Sequence, residues 1–309
     1  MDQFFTIARV IAPIFAAVAL GLFARKQQLM TAQEVRGLQQ FVMKFGLPCI
    51  IFNSCLTADI GAESLTSMAL VIPSVLIGTF WGFKARKSRF PYHNLPQLFT
   101  AQETGMLGIP LFMILFGTAQ AYRMGVLDLA QAVTAYPTIA ILSASTDTNP
   151  SVKGIFKAVL TSPFLIMSML GLALNVSGIG AWMDHVGIGG VITECTGFLS
   201  QPVSAMMIFS VGYNFSLDRS CRKVIFKLSL IHFLWFALFG AAVQGILFLI
   251  PGVDALTRWA LLLYFALPAS YLAPTLGRNQ EDLTVASGVC SLLTVVTLAV
   301  FSMMAAVVS

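Results

Sequence analysis

Charge is what this sequence has least of. Asp, Glu, Lys and Arg make up only 10% of its 309 residues, against 57% hydrophobic ones, and the mean hydropathy is +0.84. Soluble domains carry about a quarter charged residues, so a purely water-solvated globular fold is excluded. No stretch between apolar runs is long enough for a separate soluble signalling domain. The three histidines, His93, His185 and His232, form no His-Glu-x-x-His spacing, and no phosphate-binding Gly-Lys-Ser loop occurs. Their lack argues against an intramembrane metalloprotease and against direct drive by ATP. The five cysteines (Cys49, Cys55, Cys195, Cys221, Cys290) are odd in number and lack the paired spacing of a metal site, so they read as free thiols and no metal is expected. The net charge of +5 reads as a bias of loops toward one side of a membrane, not as a surface for nucleic acid.

What fills the chain instead is a series of apolar runs of roughly 20 residues, the length that crosses a bilayer as a helix. They lie at 6–24, 38–57, 65–83, 94–117, 122–145, 154–176, 189–213, 224–250, 256–276 and 282–306, which predicts an all-α polytopic membrane protein of ten transmembrane helices. The first run has no basic segment before it and no small-residue cleavage pattern after Ala24, so it reads as a span and not as a signal peptide. Of 18 Lys and Arg residues, 15 fall in odd-numbered connections, among them Arg25, Lys26, Lys153, Lys157, Arg219, Arg222, Lys223 and Arg278. Arg9, Arg123 and Arg258 stand on the other side. Because basic residues are retained in the cytoplasm, the expectation is a multi-pass protein of the cell (inner) membrane with both termini on the non-cytoplasmic side.

The stretches "PIFAAVALGL" from Pro13 and "PFLIMSMLGL" from Pro163 share a proline and a Leu-Gly-Leu run 150 residues apart. Pro48 and Pro202 follow at an offset of 154, and Pro110 and Pro268 at 158. Three matches in order point to a repeat, 1–149 and 150–309. Five spans is an odd number, so the second copy enters from the opposite side, an inverted five-helix repeat of the kind secondary transporters use.

Span four reads "FTAQETGMLGIPLFMILFG", with Gly105, Gly108 and Pro110 just after the polar cluster Gln102, Glu103 and Thr104. Span nine reads "YFALPASYLAPTLG", with Pro268 and Pro274 around Ser270 and Tyr271. An isolated proline would be a simple kink, but breaks at corresponding places in two copies predict broken, crossing helices four and nine around a midplane site. Substrate-binding candidates are Gln102, Glu103, Thr104, Gly105, Pro110, Pro268, Ser270 and Tyr271. Asn53, in span two, either lines the pocket or bonds a neighbouring helix. Asp128, in span five, either pairs with Glu103 as a second ion- or proton-coupling carboxylate or lies near the outer interface. His232 reads as a packed histidine, and Glu194 and Lys44 sit near span ends, where they reach the interface.

"TGMLGIPL" in span four, "LPAS" with the downstream "EDLTVAS" in spans nine and ten, and "IAPIFAAVALGLFARKQQLMT" with "GLQQFVMKFGLPCIIFNS" near the start resemble the auxin efflux carrier family, including its bacterial members. The resemblance implies a scaffold of spans one, two, six and seven, a moving unit of spans three to five and eight to ten, a pocket that includes the region of Asn53, and a homodimer. Where the family often has Asn before the Thr-Gly of span four, this chain has Glu103. An ionisable group inside a span is costly and therefore a functional candidate, here a proton carrier or ion ligand. The alternative is a carboxylate near the membrane edge, hydrated or paired with Lys or Arg.

The function expected from these features is a secondary carrier of small organic anions, such as carboxylates or auxin-like compounds, working by alternating access about the crossing of helices four and nine. Its partners are the substrate and the lipid bilayer. No enzymatic activity and no cofactor is expected beyond a coupled proton or sodium ion. The alternative, with similar architecture, is a cation-coupled symporter or cation/proton antiporter using Glu103 and Asp128.

Overall fold

The computed structural model describes residues 2–58, 61–144, 160–218, 220–250 and 252–308. Lys153, Lys157, Arg219, the start of the sixth expected span and the boundary at 149/150 lie outside the described residues. Among the described residues the architecture is all-helical. Four helices there are long and apolar enough to cross a membrane, and five if one bent pair counts as a span. The long ones are α1 (Asp2–Lys26), α4 (Ala62–Ser88), α12 (Arg222–Leu249) and α14 (Gln280–Val308). The 25 residues of α1 rise roughly 37 Å, enough for the hydrocarbon core.

The other expected stretches also hold helix, but in shorter pieces. In the second, a capping box starts α2 (Ala32–Phe41) six residues before the expected boundary of 38: Thr31 N donates to Glu34 Oε2 at 2.6 Å, and Glu34 N donates back to Thr31 Oγ1 at 3.3 Å. A π turn, Val42–Gly46, then leads into α3 (Leu47–Leu56). Pro48 accounts for it, since its ring collides with the carbonyl four residues back and the turn widens to avoid the clash.

The fourth stretch repeats the device. After a four-residue helix α5 (Leu95–Leu98) the chain is extended, and a π turn, Thr104–Gly108, precedes Pro110 in α6 (Ile109–Phe116). A 3₁₀ turn (Thr118–Gln120) then leads into α7 (Ala121–Ala144).

In the second half, α8 (Pro163–Val176) bends by 77° into the short α9 (Ile179–His185), which the apolar pattern does not announce. Gly178 at the bend has φ +74°, a left-handed conformation that L side chains rarely adopt. Next come α10 (Ile188–Ser200) and α11 (Val203–Asn214), parted at Gln201–Pro202. The ninth stretch is α13 (Ala255–Ala266), an extended break, and a 3₁₀ turn (Pro274–Leu276).

Two tight helix pairs flank the core. Helix α1 packs on α11 and α3 packs on α8. A Cβ at Gly21 would run into the Phe209 carbonyl oxygen of α11, and a Cβ at Gly171 would lie 2.6 Å from the Phe52 carbonyl oxygen of α3. These are the glycines of the two Leu-Gly-Leu runs. Four residues beyond each, a side chain closes the end of the partner helix. Arg25 Nη1 donates to the carbonyls of Tyr213 and Phe215, at 3.4 and 2.5 Å, and Asn175 Nδ2 donates to those of Cys55 and Ala58, at 2.9 and 2.7 Å.

Helices α4, α7 and α12 to α14 pack on one another beside the two extended breaks. Outside and inside are inverted relative to a soluble protein. Phe80 is 72% and Phe248 79% exposed, while Ser74, Gln97, Thr100 and Thr297 are wholly buried. Such a surface suits an apolar solvent, with the polar groups gathered within.

Candidate functional site

The two extended breaks meet. Gln102 and Ala269 face each other as an antiparallel bridge, Glu103 N donates to Pro268 O at 2.9 Å, and Ser270 N donates to Ala101 O at 2.9 Å. Backbone groups set free by a broken helix must find partners inside protein when no water is at hand, and here each break supplies them to the other.

The opposite edge of the first break is closed by a side chain. Gln131 of α7 accepts from Gln102 N at 2.7 Å and donates to Gln102 O at 2.9 Å, taking the place of a neighbouring strand. Its Nε2 also donates to Thr104 Oγ1 at 3.0 Å and to Asp128 Oδ1 at 2.8 Å, and Tyr264 OH donates to its Oε1 at 3.0 Å. Thr104 Oγ1 donates to the same Asp128 oxygen. The Gln102 amide, turned so that its nitrogen donates, reaches the carbonyls of Leu267 and Pro268 at 3.1 and 3.0 Å.

Glu103 is 8% exposed and spends both carboxylate oxygens on backbone donors. Oε1 accepts from Met106 N, in the turn that opens the second half of the broken helix, at 3.2 Å. Oε2 accepts from Tyr271 N, in the other break, at 2.6 Å. An anion is the natural guest of such N–H groups, and the chain places its own there. Neither Glu103 nor Asp128 enters an ion pair among the described residues. Both ion pairs found there belong to Arg123, with Asp254 at 2.6 Å and Glu63 at 3.8 Å, where α7, α13 and α4 begin.

The second break is held from α14. Tyr271 OH and Thr294 Oγ1 lie 2.7 Å apart, Thr297 Oγ1 donates to Ala266 O at 2.5 Å, and Cys290 Sγ lies 3.7 Å from Ser270 O. Room remains beside Gly105, where an added Cβ would meet nothing within 4 Å, and Gly105, Met106 and Tyr271 are all partly exposed.

Of the residues singled out from sequence, Gln102, Glu103, Thr104, Gly105, Pro268, Ser270 and Tyr271 lie in the joined breaks, and Asp128 is bonded to them. Pro110 stands a turn away, at the start of α6. Asn53 is not brought there: its Oδ1 accepts from Thr196 Oγ1 of α10 at 2.8 Å. His232 lies on α12, packed between Phe99 and Phe236, with ring centroids 5.5 and 4.6 Å away. Gln131, Tyr264 and Thr294 were not foreseen. Gln131 carries a readable signal, three residues after Asp128 on the same helix face in an otherwise apolar run.

No curated protein matches the chain. Residues 6–149, which hold the first break, Asp128 and Gln131, match the model of the family described as membrane transport protein, that of the auxin efflux carriers, so this part of the chain is similar to a family of membrane transporters.

Proposed function

We propose that the chain is a secondary carrier which moves a small organic anion together with a proton or sodium ion, and that the joined breaks are its site. The observation that carries this reading is the pair of carboxylates, Glu103 and Asp128, set in a buried polar cluster with no ion-pair partner among the described residues. An anion entering beside Gly105 meets two like charges and N–H groups already taken by Glu103. Binding becomes favourable once a proton or metal cation offsets the carboxylates, which links the two fluxes. The second reading, a cation/proton antiporter, draws on the same pair of carboxylates.

The proposed architecture is ten crossings in two inverted halves, with both termini outside the cytoplasm. The two glycine contacts and the two helix-end bonds support it, because Gly21 and Gly171, like Arg25 and Asn175, stand 150 residues apart and do the same work in the two tight pairs. Those pairs form the scaffold, and the helices around the breaks form the moving unit.

The test is uptake of labelled carboxylates into proteoliposomes under imposed proton or sodium gradients. Uptake accelerated by either gradient supports the symport. Uptake indifferent to both leaves a uniporter, and cation exchange for protons without any carboxylate establishes the second reading.

A further inference from the structure

Away from the joined breaks, a cavity of about 440 Å³ opens at the start of α12. Its walls are apolar, formed by Leu217, Ile225, Phe226 and Leu292, and its rim carries Asp218, Arg222 and Lys223. Since α12 is one of the four helices able to cross a membrane, its first turn stands where hydrocarbon gives way to head groups.

Two cations are ill placed in that turn. A helix N-terminus bears partial positive charge, and the residue before α12, Cys221, offers no side-chain hydrogen bond to its N–H groups. Arg222 and Lys223 are exposed, and neither enters an ion pair among the described residues. An anion between them would answer both the cations and the helix end. Asp218 shares the rim, and its Oδ1 accepts from Ser220 N at 2.8 Å and Ser220 Oγ at 2.7 Å. These bonds hold its carboxyl below the ordinary range, so it remains charged and offsets one of the two cations, leaving the mouth net positive.

A cationic mouth leading into an apolar trough at head-group depth suits an anion that carries a hydrocarbon chain. We propose that this cavity is a binding site for an anionic phospholipid, its phosphate held by Arg222 and Lys223 and one acyl chain laid along Phe226, Ile225 and Leu292. The lipid lies over the contact of α12 with α14, where Ile225 presses on Gly288. Helix α14 carries Thr294, the partner of Tyr271 in the second break, so the lipid braces the helix that supports the site.

The test titrates the full-length protein in detergent with short-chain phosphatidylglycerol, short-chain phosphatidylcholine and glycerol phosphate, reading the thermal midpoint. Phosphatidylglycerol should raise the midpoint at concentrations where the other two do not. Neutralising each cation should weaken it about fivefold, so Arg222→Gln/Lys223→Gln loses about 25-fold, and Asp218→Asn should tighten it. Equal affinity of the wild type for phosphatidylglycerol and phosphatidylcholine, or an undiminished response in the double variant, overturns the proposal. A response to glycerol phosphate matching that to phosphatidylglycerol overturns it in favour of a soluble-phosphate site.

Discussion

Replacing Glu103 by Gln removes one charge and one of two acceptor atoms from the joined breaks. The amide oxygen should stay with Tyr271 N, the shorter bond at 2.6 Å, which turns the –NH₂ onto Met106 N, formerly 3.2 Å from a carboxylate oxygen. A hydrogen bond to a charged group contributes about 1.5–3 kcal/mol, and a buried donor left without an acceptor costs about 1–3 kcal/mol. Met106 is partly exposed beside the open side of Gly105, so water takes up much of the second cost. Relief of repulsion from Asp128 offsets part of the rest. The expected net loss is about 1–2 kcal/mol, read as a lowered thermal midpoint. Transport should change in another way: anion binding is kept or improved, because a competing charge has left the N–H groups, and the pH dependence of uptake flattens. Glu103→Asp separates the two effects. It keeps a titrating charge but is about 1.5 Å shorter and cannot bridge both donors, so it should lose stability and retain pH dependence. Proteoliposome uptake over a pH series, with thermal unfolding of the same preparations, measures both. A Gln variant with the wild-type pH profile and ion dependence would refute the reasoning and leave Glu103 a purely structural clasp.

Gly21→Ala should loosen α1 from α11 and cost about 1–3 kcal/mol by overpacking, whereas Gly245→Ala, whose Cβ would meet nothing within 4 Å, should leave the thermal midpoint unchanged or slightly raised. Ser54 is fully buried, donates to Ala119 O at 2.9 Å and accepts from Tyr122 N at 2.6 Å, so Ser54→Ala should cost about 1–3 kcal/mol for each backbone group it abandons; an unchanged midpoint would show that water replaces the hydroxyl. Cysteines introduced at Ser88 and Ser220 should be shielded from an impermeant thiol reagent added to intact cells, and reaction at both positions would reverse the proposed orientation.

The breaks themselves were legible because proline and glycine act through the backbone. Pro110 and Pro48 each leave a π turn on the side where their rings collide, and that follows from sequence alone. Which breaker answers which was less legible. By offset Pro110 matches Pro268, yet Pro110 begins the helix after its break, as Pro274 begins the turn after the other, while Pro268 lies inside the break and accepts from Glu103 N. A proline shows where a helix fails but not which neighbour takes up the freed groups. That depends on side chains arriving from other helices, and Gln131, Tyr264 and Thr294 looked from sequence like ordinary polar residues in apolar runs. The same gap hid the state of Glu103. Its presence in a span marked it out, but that both its oxygens rest on N–H groups of the two breaks is a product of three-dimensional pairing.

Arg25 and Asn175 show how one geometric task takes two chemistries. Each follows the glycine of a tight helix pair by four residues, and each donates to one carbonyl in the last turn of the partner helix and one just past its end. Those carbonyls carry partial negative charge, so a guanidinium is the stronger partner at either end. Packing alone would therefore favour arginine twice, and the chain uses it once. In the proposed inverted arrangement the two positions face opposite sides of the membrane, Arg25 toward the cytoplasm and Asn175 away from it. A cation is retained on the first side and opposes correct insertion on the second. A neutral amide that still reaches two carbonyls keeps the contact without upsetting the orientation. The loss of charge at Asn175 is thus what an inverted repeat requires of a cap that has changed sides, and a repeat without inversion gives no reason for it.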